Sequence, residues 1–255
     1  MIRVYAGDAR RMAPVADASI HLVVTSPPYP MIPQWDELFA RLGATTYDAM
    51  HTVLEAVWAE CVRVLVPGGL LAVNIGDALR SSDGAFALWP NHAEVLVRGR
   101  RLGLTPLPYL LWKKPMNRPN AYLGSGFLPP NAYVTLDCEY ILLFRKGRIR
   151  RLPPHDAARA RSRFSRAERD RWFSQLWGDV RAERQGPEGR RTAAFPAEIP
   201  RRLIRMFSVE GETVLDPFAG TGTTLWAAAA LGRDAVGFEI DPVRAAELRQ
   251  RASAP

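Results

Sequence analysis

The chain has 255 residues, 47% of them hydrophobic, which is enough to bury the core of one domain or of one domain with a small insert. No apolar run approaches the roughly 18 to 20 residues of a membrane span. The segment that opens with Met1 reads as a strand and not as a signal peptide, so we expect a cytoplasmic protein without membrane contact. The two cysteines and four histidines lack metal-ligand spacing, so neither a disulfide nor a metal site is expected.

The formal net charge of +8 is concentrated in one part of the chain. Residues 145–191 contain 15 Arg or Lys against 6 Asp or Glu, so this segment alone accounts for the excess. Concentrated positive charge indicates a polyanionic partner, most often nucleic acid. The alternative is a solvated arginine-rich surface.

The predicted elements alternate between strands and helices. Apolar runs predict strands at 2–5, 20–24, 70–75, 108–112, 140–144, 213–215 and 235–238. Helical periodicity predicts helices at 47–65, 91–101, 196–207 and 223–231, the first of them ended by Pro67-Gly68-Gly69. This alternation is typical of an α/β fold with a doubly wound, mostly parallel sheet.

The alternation breaks in two places. Residues 145–191 combine Pro153-Pro154 with many charges and no strong strand, which predicts a basic target-recognition region inserted into a single catalytic domain. That domain would consist of residues 1–144 and 192–255. Residues 115–130 are rich in Pro, Gly and Asn, and a loop of that length inside a compact fold is typical of a functional segment or of disorder.

A glycine-rich turn follows the predicted strand at 213–215. Residues 216–222, Asp-Pro-Phe-Ala-Gly-Thr-Gly, lead into a predicted helix, which is how a ligand is held at the carboxyl end of a sheet strand. The next strand ends at Glu239, and an acidic residue there suits the two hydroxyls of a ribose. The turn lacks both the third glycine of the dinucleotide fingerprint and the Gly-Lys-Ser/Thr of a phosphate loop, which favours a nucleoside without phosphate. A tight turn with nothing bound is the alternative.

A second motif, Ser26-Pro27-Pro28-Tyr29, follows the predicted strand at 20–24. The exocyclic amino nitrogen of a base is a poor nucleophile because its lone pair is delocalised into the ring. The Ser26 hydroxyl and the Pro27 carbonyl can accept the two amino hydrogens and favour a pyramidal nitrogen. The proline pair stiffens the loop, and the Tyr29 ring offers a face on which an extruded base can stack. A rigid surface turn is the alternative.

These two segments resemble a known family. Residues 26–29 are similar to the catalytic loop of the amino methyltransferases that modify exocyclic nitrogens in DNA, and residues 216–224 are similar to their S-adenosylmethionine loop. The similarity extends to Gly7-Asp8, Arg63 to Gly69, Trp112 to Pro115 and Phe195 to Pro200. The catalytic loop precedes the donor loop, an order that resembles the beta group, a circular permutation of the Rossmann-like class I methyltransferase fold. One departure is Arg191, which stands where many relatives have a histidine.

The resemblance implies an S-adenosyl-L-methionine-dependent enzyme that extrudes a base from double-stranded DNA and methylates it by direct in-line transfer. It implies the catalytic residues Ser26, Pro27, Pro28 and Tyr29. It implies the cofactor-binding residues Asp8, Thr25, Phe195, Asp216, Pro217, Phe218, Ala219, Gly220, Thr221, Gly222, Thr223, Glu239 and Ile240. The candidate DNA contacts are Trp112, Lys113, Arg148, Arg150, Arg151, Arg159, Arg161 and Arg163, with burial in the core as the alternative for Trp112.

The identity of the methylated base rests on the first residue of the catalytic loop. Relatives with Ser at this position are mostly similar to N4-cytosine enzymes and those with Asp to N6-adenine enzymes, so Ser26 favours cytosine. A carbon-5 cytosine enzyme would need a cysteine after a proline, and neither Cys61 nor Cys138 is so placed. The alternatives are an N6-adenine enzyme, a catalytically silent DNA-binding relative, and methylation of an RNA amine or a protein amide. A cognate restriction endonuclease is a possible partner, and both a monomer and a homodimer are compatible with the resemblance.

Overall fold

The computed structural model describes residues 1–82, 85–114, 134–181 and 195–253. The predicted loop at 115–130 and the departure at Arg191 lie outside these residues.

The described part of the chain contains ten strands and eight α-helices. The strands are β1 (Ile2–Ala6), β2 (Ile20–Thr25), β3 (Leu65–Ile75), β4 (Ala78–Ser82), β5 (Ala85–Trp89), β6 (Leu104–Lys113), β7 (Cys138–Lys146), β8 (Leu176–Trp177), β9 (Thr213–Asp216) and β10 (Asp234–Glu239). The helices are α1 (Asp36–Arg41), α2 (Tyr47–Val64), α3 (Asn91–Arg101), α4 (Ala157–Arg161), α5 (Arg166–Trp172), α6 (Glu198–Phe207), α7 (Thr223–Ala230) and α8 (Pro242–Ala252).

Eight strands form one sheet in the order β1-β10-β9-β2-β3-β7-β6-β8. The strands β1, β10, β9, β2 and β3 are parallel to one another. Strand β7 runs antiparallel to both of its neighbours, β3 and β6, and β8 pairs with β6 in parallel. The predicted mostly parallel sheet is therefore confirmed, while β4 and β5 form a separate antiparallel pair.

Helices pack on both faces of this sheet because successive strand residues point to opposite sides. In β2, Val23 contributes to one buried cluster together with Leu54 and Trp58 of α2. Its neighbour Val24 contributes to a second cluster, which includes Leu203 of α6. The two clusters are the cores of the two layers, as expected for a doubly wound fold.

Helix α2 shows how the sequence positions one of these layers. Thr46 caps its first turn, with Oγ1 accepting a hydrogen bond of 3.3 Å from the Ala49 amide. Its buried residues recur at helical spacing and include Leu54, Trp58 and Cys61. The Cys61 thiol is therefore a buried core group.

The structure differs from the sequence-based elements mainly where chain segments are short or charged. The strand after α2 begins at Leu65 and runs through the predicted helix stop at Pro67 to Gly69. Helix α5 was not predicted because its apolar face is narrow, and a capping box between Ser165 and Glu168 starts it. None of the described helices combines the length and apolar character that a bilayer crossing requires.

The basic segment, residues 145–181, is packed against the sheet. The predicted boundary at residue 145 falls inside β7, which continues to Lys146. Trp172 and Trp177 are buried, and Trp177 pairs with β6 at the sheet edge. The described part of this segment is therefore continuous with the core of the catalytic domain.

Candidate active site

The two sequence motifs leave the sheet side by side. Residues 22–23 of β2 lie opposite residues 214–215 of β9 in parallel register. Parallel neighbours end at the same edge of a sheet, which is where α/β folds bind ligands. Across the two strand ends, Thr25 Oγ1 donates a hydrogen bond of 2.7 Å to Asp216 Oδ1. The structure thus brings together two segments that are far apart in the chain.

Asp216 anchors the glycine turn from inside the protein. It is 3% exposed, and its Oδ1 also accepts a hydrogen bond of 3.0 Å from the Phe218 amide. Burial raises the pKa of this carboxyl to about 6, against the opposing effect of the hydrogen bonds from Thr25 and Phe218.

Gly222 is required at the end of the turn. Its φ is +82°, a conformation that residues with side chains rarely adopt. A Cβ at this position would lie 2.6 Å from Trp226 Nε1 and 2.7 Å from Leu248 Cδ2. Helix α7 begins at the next residue, Thr223, so the unpaired amides of its first turn follow directly on the loop.

Glu239 is held at the end of β10 by two backbone amides. Its Oε2 accepts a hydrogen bond from the Gly220 amide and its Oε1 one from the Asp241 amide, both of 2.9 Å. Each carboxylate oxygen has a further lone pair for another donor. A fixed carboxylate beside the glycine turn fits the diol of a ribose.

Asp8 lies next to this site, after the end of β1. The Gly7 amide donates a hydrogen bond of 2.9 Å to the Glu239 carbonyl, which ties the two strand ends together. Partial burial opposes ionisation of Asp8, but hydrogen bonds from the Arg10 side chain and backbone outweigh it and lower the pKa. Asp8, Arg10 and Arg11 line a cavity of about 450 Å³.

The other predicted cofactor residues divide by exposure. Thr25, Phe195, Pro217 and Ala219 are buried, whereas Phe218, Gly220 and Thr223 are half-buried and Thr221 and Ile240 are exposed. Phe195 packs in the same apolar cluster as Ala219. The turn therefore has a buried side, to which Ala219 belongs, and an exposed side, to which Thr221 belongs.

The loop that carries Ser26 is held rigidly. Pro27 and Pro28 are buried, and the loop continues into Pro30. Asn91 of α3 donates two hydrogen bonds of 3.0 Å, one to the Pro30 carbonyl and one to the Gly76 carbonyl. The loop is thereby fastened both to α3 and to the end of β3.

Behind the loop lies a network of polar side chains. Ser26 Oγ is 3.0 Å from the Tyr29 hydroxyl, which donates a hydrogen bond of 2.9 Å to Glu139 Oε2. Asn74 Nδ2 donates to both the Tyr29 oxygen and Glu139 Oε2, at 2.8 and 2.6 Å, and the Lys114 ammonium forms an ion pair with Glu139 Oε1. Burial and the nearby Glu139 carboxylate raise the pKa of Tyr29 well above its ordinary value, so the phenol is neutral.

Sequence reasoning did not identify Asn74 or Glu139 as site residues. Both sit in strands that read as apolar runs, Asn74 in β3 and Glu139 at the start of β7. Asn74 interrupts a predicted apolar strand and Glu139 directly precedes one. A polar residue at such a place is the signal that could have found them, because buried polar groups require partners.

Trp112 is not available for DNA contact, which corrects the prediction. Its ring is 4% exposed, and its indole nitrogen donates a hydrogen bond of 3.0 Å to the Val180 carbonyl. The indole lies on the core-facing side of β6, where apolar residues of β7 and of the basic segment cover it. Lys113, the next residue, has its side chain 56% exposed and lies 3.7 Å from Asp137.

The predicted arginine contacts do not form one uniform surface. Arg150 forms an ion pair with the buried Glu212 through both guanidinium nitrogens, so it is a structural residue and not a free DNA contact. Arg161 forms a more exposed ion pair of 2.8 Å with Glu210. Among the described residues, no carboxylate lies within ion-pair distance of the remaining four, Arg148, Arg151, Arg159 and Arg163.

The fold and these residues define a class of enzyme. A glycine turn at a strand end, a fixed acidic residue at the next strand end and a polar loop beside them fit a nucleoside-bearing methyl donor and its acceptor. This protein is a methyltransferase that uses S-adenosyl-L-methionine.

Comparison with known proteins identifies the family to which this methyltransferase belongs. The profile of the DNA methylase family, which comprises N6 and N4 enzymes, matches residues 20–249. The Type II methyltransferase M.MjaI of Methanocaldococcus jannaschii is 54% identical, over 92% of this chain and 86% of the relative. The chain therefore belongs to the N6/N4 DNA methylase family, and the predicted resemblance is confirmed.

Two solved structures share the fold. TTHA0409 of Thermus thermophilus, in complex with S-adenosyl-L-methionine, is 38% identical with a TM-score of 0.79, covering 98% of this chain and 93% of that one. The cytosine-N4-specific PvuII DNA methyltransferase has a TM-score of 0.70 over 98% of this chain and 86% of that one. At 21% identity, the second likeness shows the fold alone.

Proposed function

We propose that this methyltransferase acts on the exocyclic N4 of cytosine in double-stranded DNA, on a base extruded from the helix. The observation that carries the proposal is Ser26 at the head of a rigid loop, beside the strand end that holds Asp216. A hydroxyl is a neutral acceptor for an amino hydrogen, and it leads this loop in place of the carboxylate typical of adenine enzymes. The cytosine-N4 specificity in the name of the PvuII enzyme, which shares the fold, agrees with this choice.

Each part of the site has a role in the proposed reaction. Ser26 Oγ and the Pro27 carbonyl accept the amino hydrogens, and the Tyr29 ring supports the extruded base. Asp216 and Glu239 hold the donor, with Glu239 binding the ribose. When bound, the donor would supply a sulfonium methyl group: the amino nitrogen would form the new C–N bond as the C–S bond breaks, the demethylated donor would leave as a neutral thioether, and the nitrogen would then lose a proton to solvent.

The partners follow from the same proposal. The names of its relatives as Type II methyltransferases support a role in restriction and modification, with a cognate endonuclease acting on the same sequence. The enzyme would then work in the cytoplasm, where the DNA is, and as a monomer or a homodimer. The exposed arginines of the basic segment are proposed contacts to DNA phosphates.

The test is transfer of a labelled methyl group from the donor to duplex DNA, RNA or protein, followed by mass spectrometry of the nucleosides. Label in N4-methylcytosine is the expected result. Label in N6-methyladenine would replace the proposed base by the second candidate, and label in RNA or protein alone would remove DNA as the substrate.

Two pairs of variants separate the roles within the site. Ser26→Ala and Tyr29→Ala should keep the donor affinity, measured by calorimetry, while turnover falls about a hundredfold or more. Asp216→Ala and Glu239→Ala should weaken donor binding itself. Unchanged donor affinity in both members of the second pair would contradict the assignment of the donor site.

A further inference from the structure

The hydrogen bonds behind Ser26 can be assigned a direction. Tyr29 has one hydroxyl proton and lies within hydrogen-bond distance of Ser26 Oγ at 3.0 Å, Glu139 Oε2 at 2.9 Å and Asn74 Nδ2 at 2.8 Å. Asn74 and Glu139 are 2% and 6% exposed, so the described network has little access to solvent. In such a place each hydrogen-bond donor must meet an acceptor, because a buried donor without an acceptor destabilises the folded protein.

The charge of Glu139 determines the first two bonds. Its Oε1 forms an ion pair with the ammonium of Lys114, and a carboxylate has no hydrogen to donate, so it can only accept. Asn74 must then turn its amide nitrogen towards Oε2, since a flipped amide would place its oxygen 2.6 Å from the carboxylate oxygen. The Tyr29 proton must likewise point to Oε2.

The direction of the last bond follows by elimination. With its own proton given to Glu139, the Tyr29 oxygen can only accept, and it accepts from Asn74 and from Ser26. The Ser26 proton therefore points inward, and the oxygen keeps its lone pairs for the partly exposed side of the loop. The reverse arrangement would leave the phenol oxygen and a carboxylate oxygen 2.9 Å apart with no hydrogen between them.

We infer that Glu139, acting through Tyr29, is a positioning residue that holds the Ser26 hydroxyl as a hydrogen-bond acceptor and makes the site selective for a base with an amino group over one with a carbonyl. This inference rests on the proposed function of the same site. Cytosine and uracil differ at this exocyclic group and at the adjacent ring nitrogen, which carries a hydrogen only in uracil, and adenine and hypoxanthine differ in the same way. A fixed acceptor binds the amino member of each pair and faces the lone pairs of the carbonyl member.

Two variants release the Ser26 proton in different ways. Tyr29→Phe removes the oxygen to which Ser26 donates and keeps the ring. Glu139→Gln retains an oxygen for Lys114 and turns an amide nitrogen towards Tyr29, so the phenol proton no longer has a carboxylate to receive it. Tyr47→Phe is the matched control, because the Tyr47 hydroxyl is buried without a partner among the described residues.

The experiment compares binding of two duplexes that carry the sequence the wild-type enzyme is found to methylate. One has the natural target base and the other its carbonyl counterpart, uracil for cytosine or hypoxanthine for adenine. Binding is measured by anisotropy in the presence of the demethylated donor, and turnover and donor affinity are measured in parallel. The cost or gain of the altered base pair is common to all variants, so it cancels when their ratios are compared.

We expect the wild type and Tyr47→Phe to prefer the amino base, and the preference to fall about tenfold in Tyr29→Phe and Glu139→Gln. Their kcat should fall while donor affinity stays near wild type, and the melting temperature should fall modestly because each variant leaves a buried polar group unmatched. Wild-type methylation of DNA together with an undiminished preference in both variants would overturn this inference alone. A wild-type enzyme that methylates no DNA would overturn the proposed function and this inference with it.

Discussion

In two regions of the molecule, the pKa of a carboxyl group is shifted in opposite directions. At the donor edge, which comprises residues 216–222 and Glu239, burial raises the pKa of Asp216 to about 6. In the basic segment, hydrogen bonds from Arg202 and then Arg171 outweigh desolvation and lower the pKa of Asp179 to about 2. The first carboxylate is ionised at neutral pH at a cost to folding, and the second adds to stability.

This difference in pKa distinguishes a carboxylate at a proposed ligand site from one that stabilises the fold. A buried carboxylate whose described contacts are hydroxyl and amide donors is costly for the apo protein, and such groups occur where a site is prepared for a charged ligand. The proposed donor, which carries a sulfonium and an ammonium group, would be such a ligand. Asp179, by contrast, lies between arginines that attach the basic segment to α6, so its charge serves packing.

The largest effect is expected from breaking that attachment. Arg202 is 1% exposed, donates hydrogen bonds of 2.7 Å to Asp179 Oδ2 and to Glu198 Oε1, and lies 5.0 Å from the ring of Trp177. Arg202→Ala should lower the free energy of unfolding by about 3 kcal/mol, because it removes the buried cation between two carboxylates and leaves Asp179 only the exposed Arg171 and Glu198 only the exposed Arg201. Urea unfolding measures this.

The control for that variant is the preceding residue, Arg201. Arg201 also forms an ion pair with Glu198, at 2.6 Å, but its side chain is 41% exposed. Arg201→Ala should cost less than about 1 kcal/mol, as exposed pairs do. Equal losses in the two variants would show that burial is not what gives Arg202 its importance.

A smaller effect of opposite sign is expected at the donor edge. The folded pKa of Asp216, about 6, lies above the ordinary value of 3.8, so protonation favours the folded state. Stability from this group is full below about pH 4 and is lost as the pH rises to about 6. Asp216→Asn should therefore be more stable than wild type by about 2 kcal/mol at pH 8 and nearly equal to it at pH 4, while donor binding weakens.

Thr25→Val sharpens this prediction. It removes the hydrogen bond that Thr25 donates to Asp216, and with it one of the influences that lower the pKa of the carboxyl. The window in which stability is lost should move to higher pH. Thermal melts of all three proteins from pH 4 to 8 would show it, and a wild-type profile that is flat relative to Asp216→Asn would contradict the raised pKa.

The contribution of Asp179 to stability should change with pH in the opposite direction and by a smaller amount. Its folded pKa of about 2 lies below the ordinary value of 3.8, so its contribution is present above about pH 4 and is lost as the pH falls towards 2. Because its side chain is 35% exposed, solvent screening reduces the effect to about 1 kcal/mol. Asp179→Asn should be less stable than wild type at pH 7, and the difference should vanish near pH 2. A difference that persists there would assign the loss to packing instead of charge.

The same contrast explains what the sequence could and could not predict. The local geometry of the proposed donor edge was predictable because each of its parts is local: a strand end, a glycine turn, and an acidic residue at the end of the next strand. The role of Glu139 was not, because its meeting with Asn74 and Tyr29 depends on the antiparallel pairing of β7 with β3. Composition marked the basic segment correctly as arginine-rich, but only the fold shows that Arg150 within it, and Arg202 of α6 beside it, are structural.

The smallest predicted effect distinguishes the two kinds of arginine in the basic segment. Arg159 is exposed and has no carboxylate within ion-pair distance among the described residues, whereas Arg150 is held by Glu212. Each phosphate contact contributes about 0.9 to the slope of log affinity against log salt. Arg159→Ala should lower the slope for duplex DNA by about one while leaving the melting temperature unchanged. Arg150→Ala should leave the slope unchanged and lower the melting temperature. A drop in slope for Arg150→Ala but not for Arg159→Ala would show that the ion-paired arginines, and not the unpaired ones, contact the DNA.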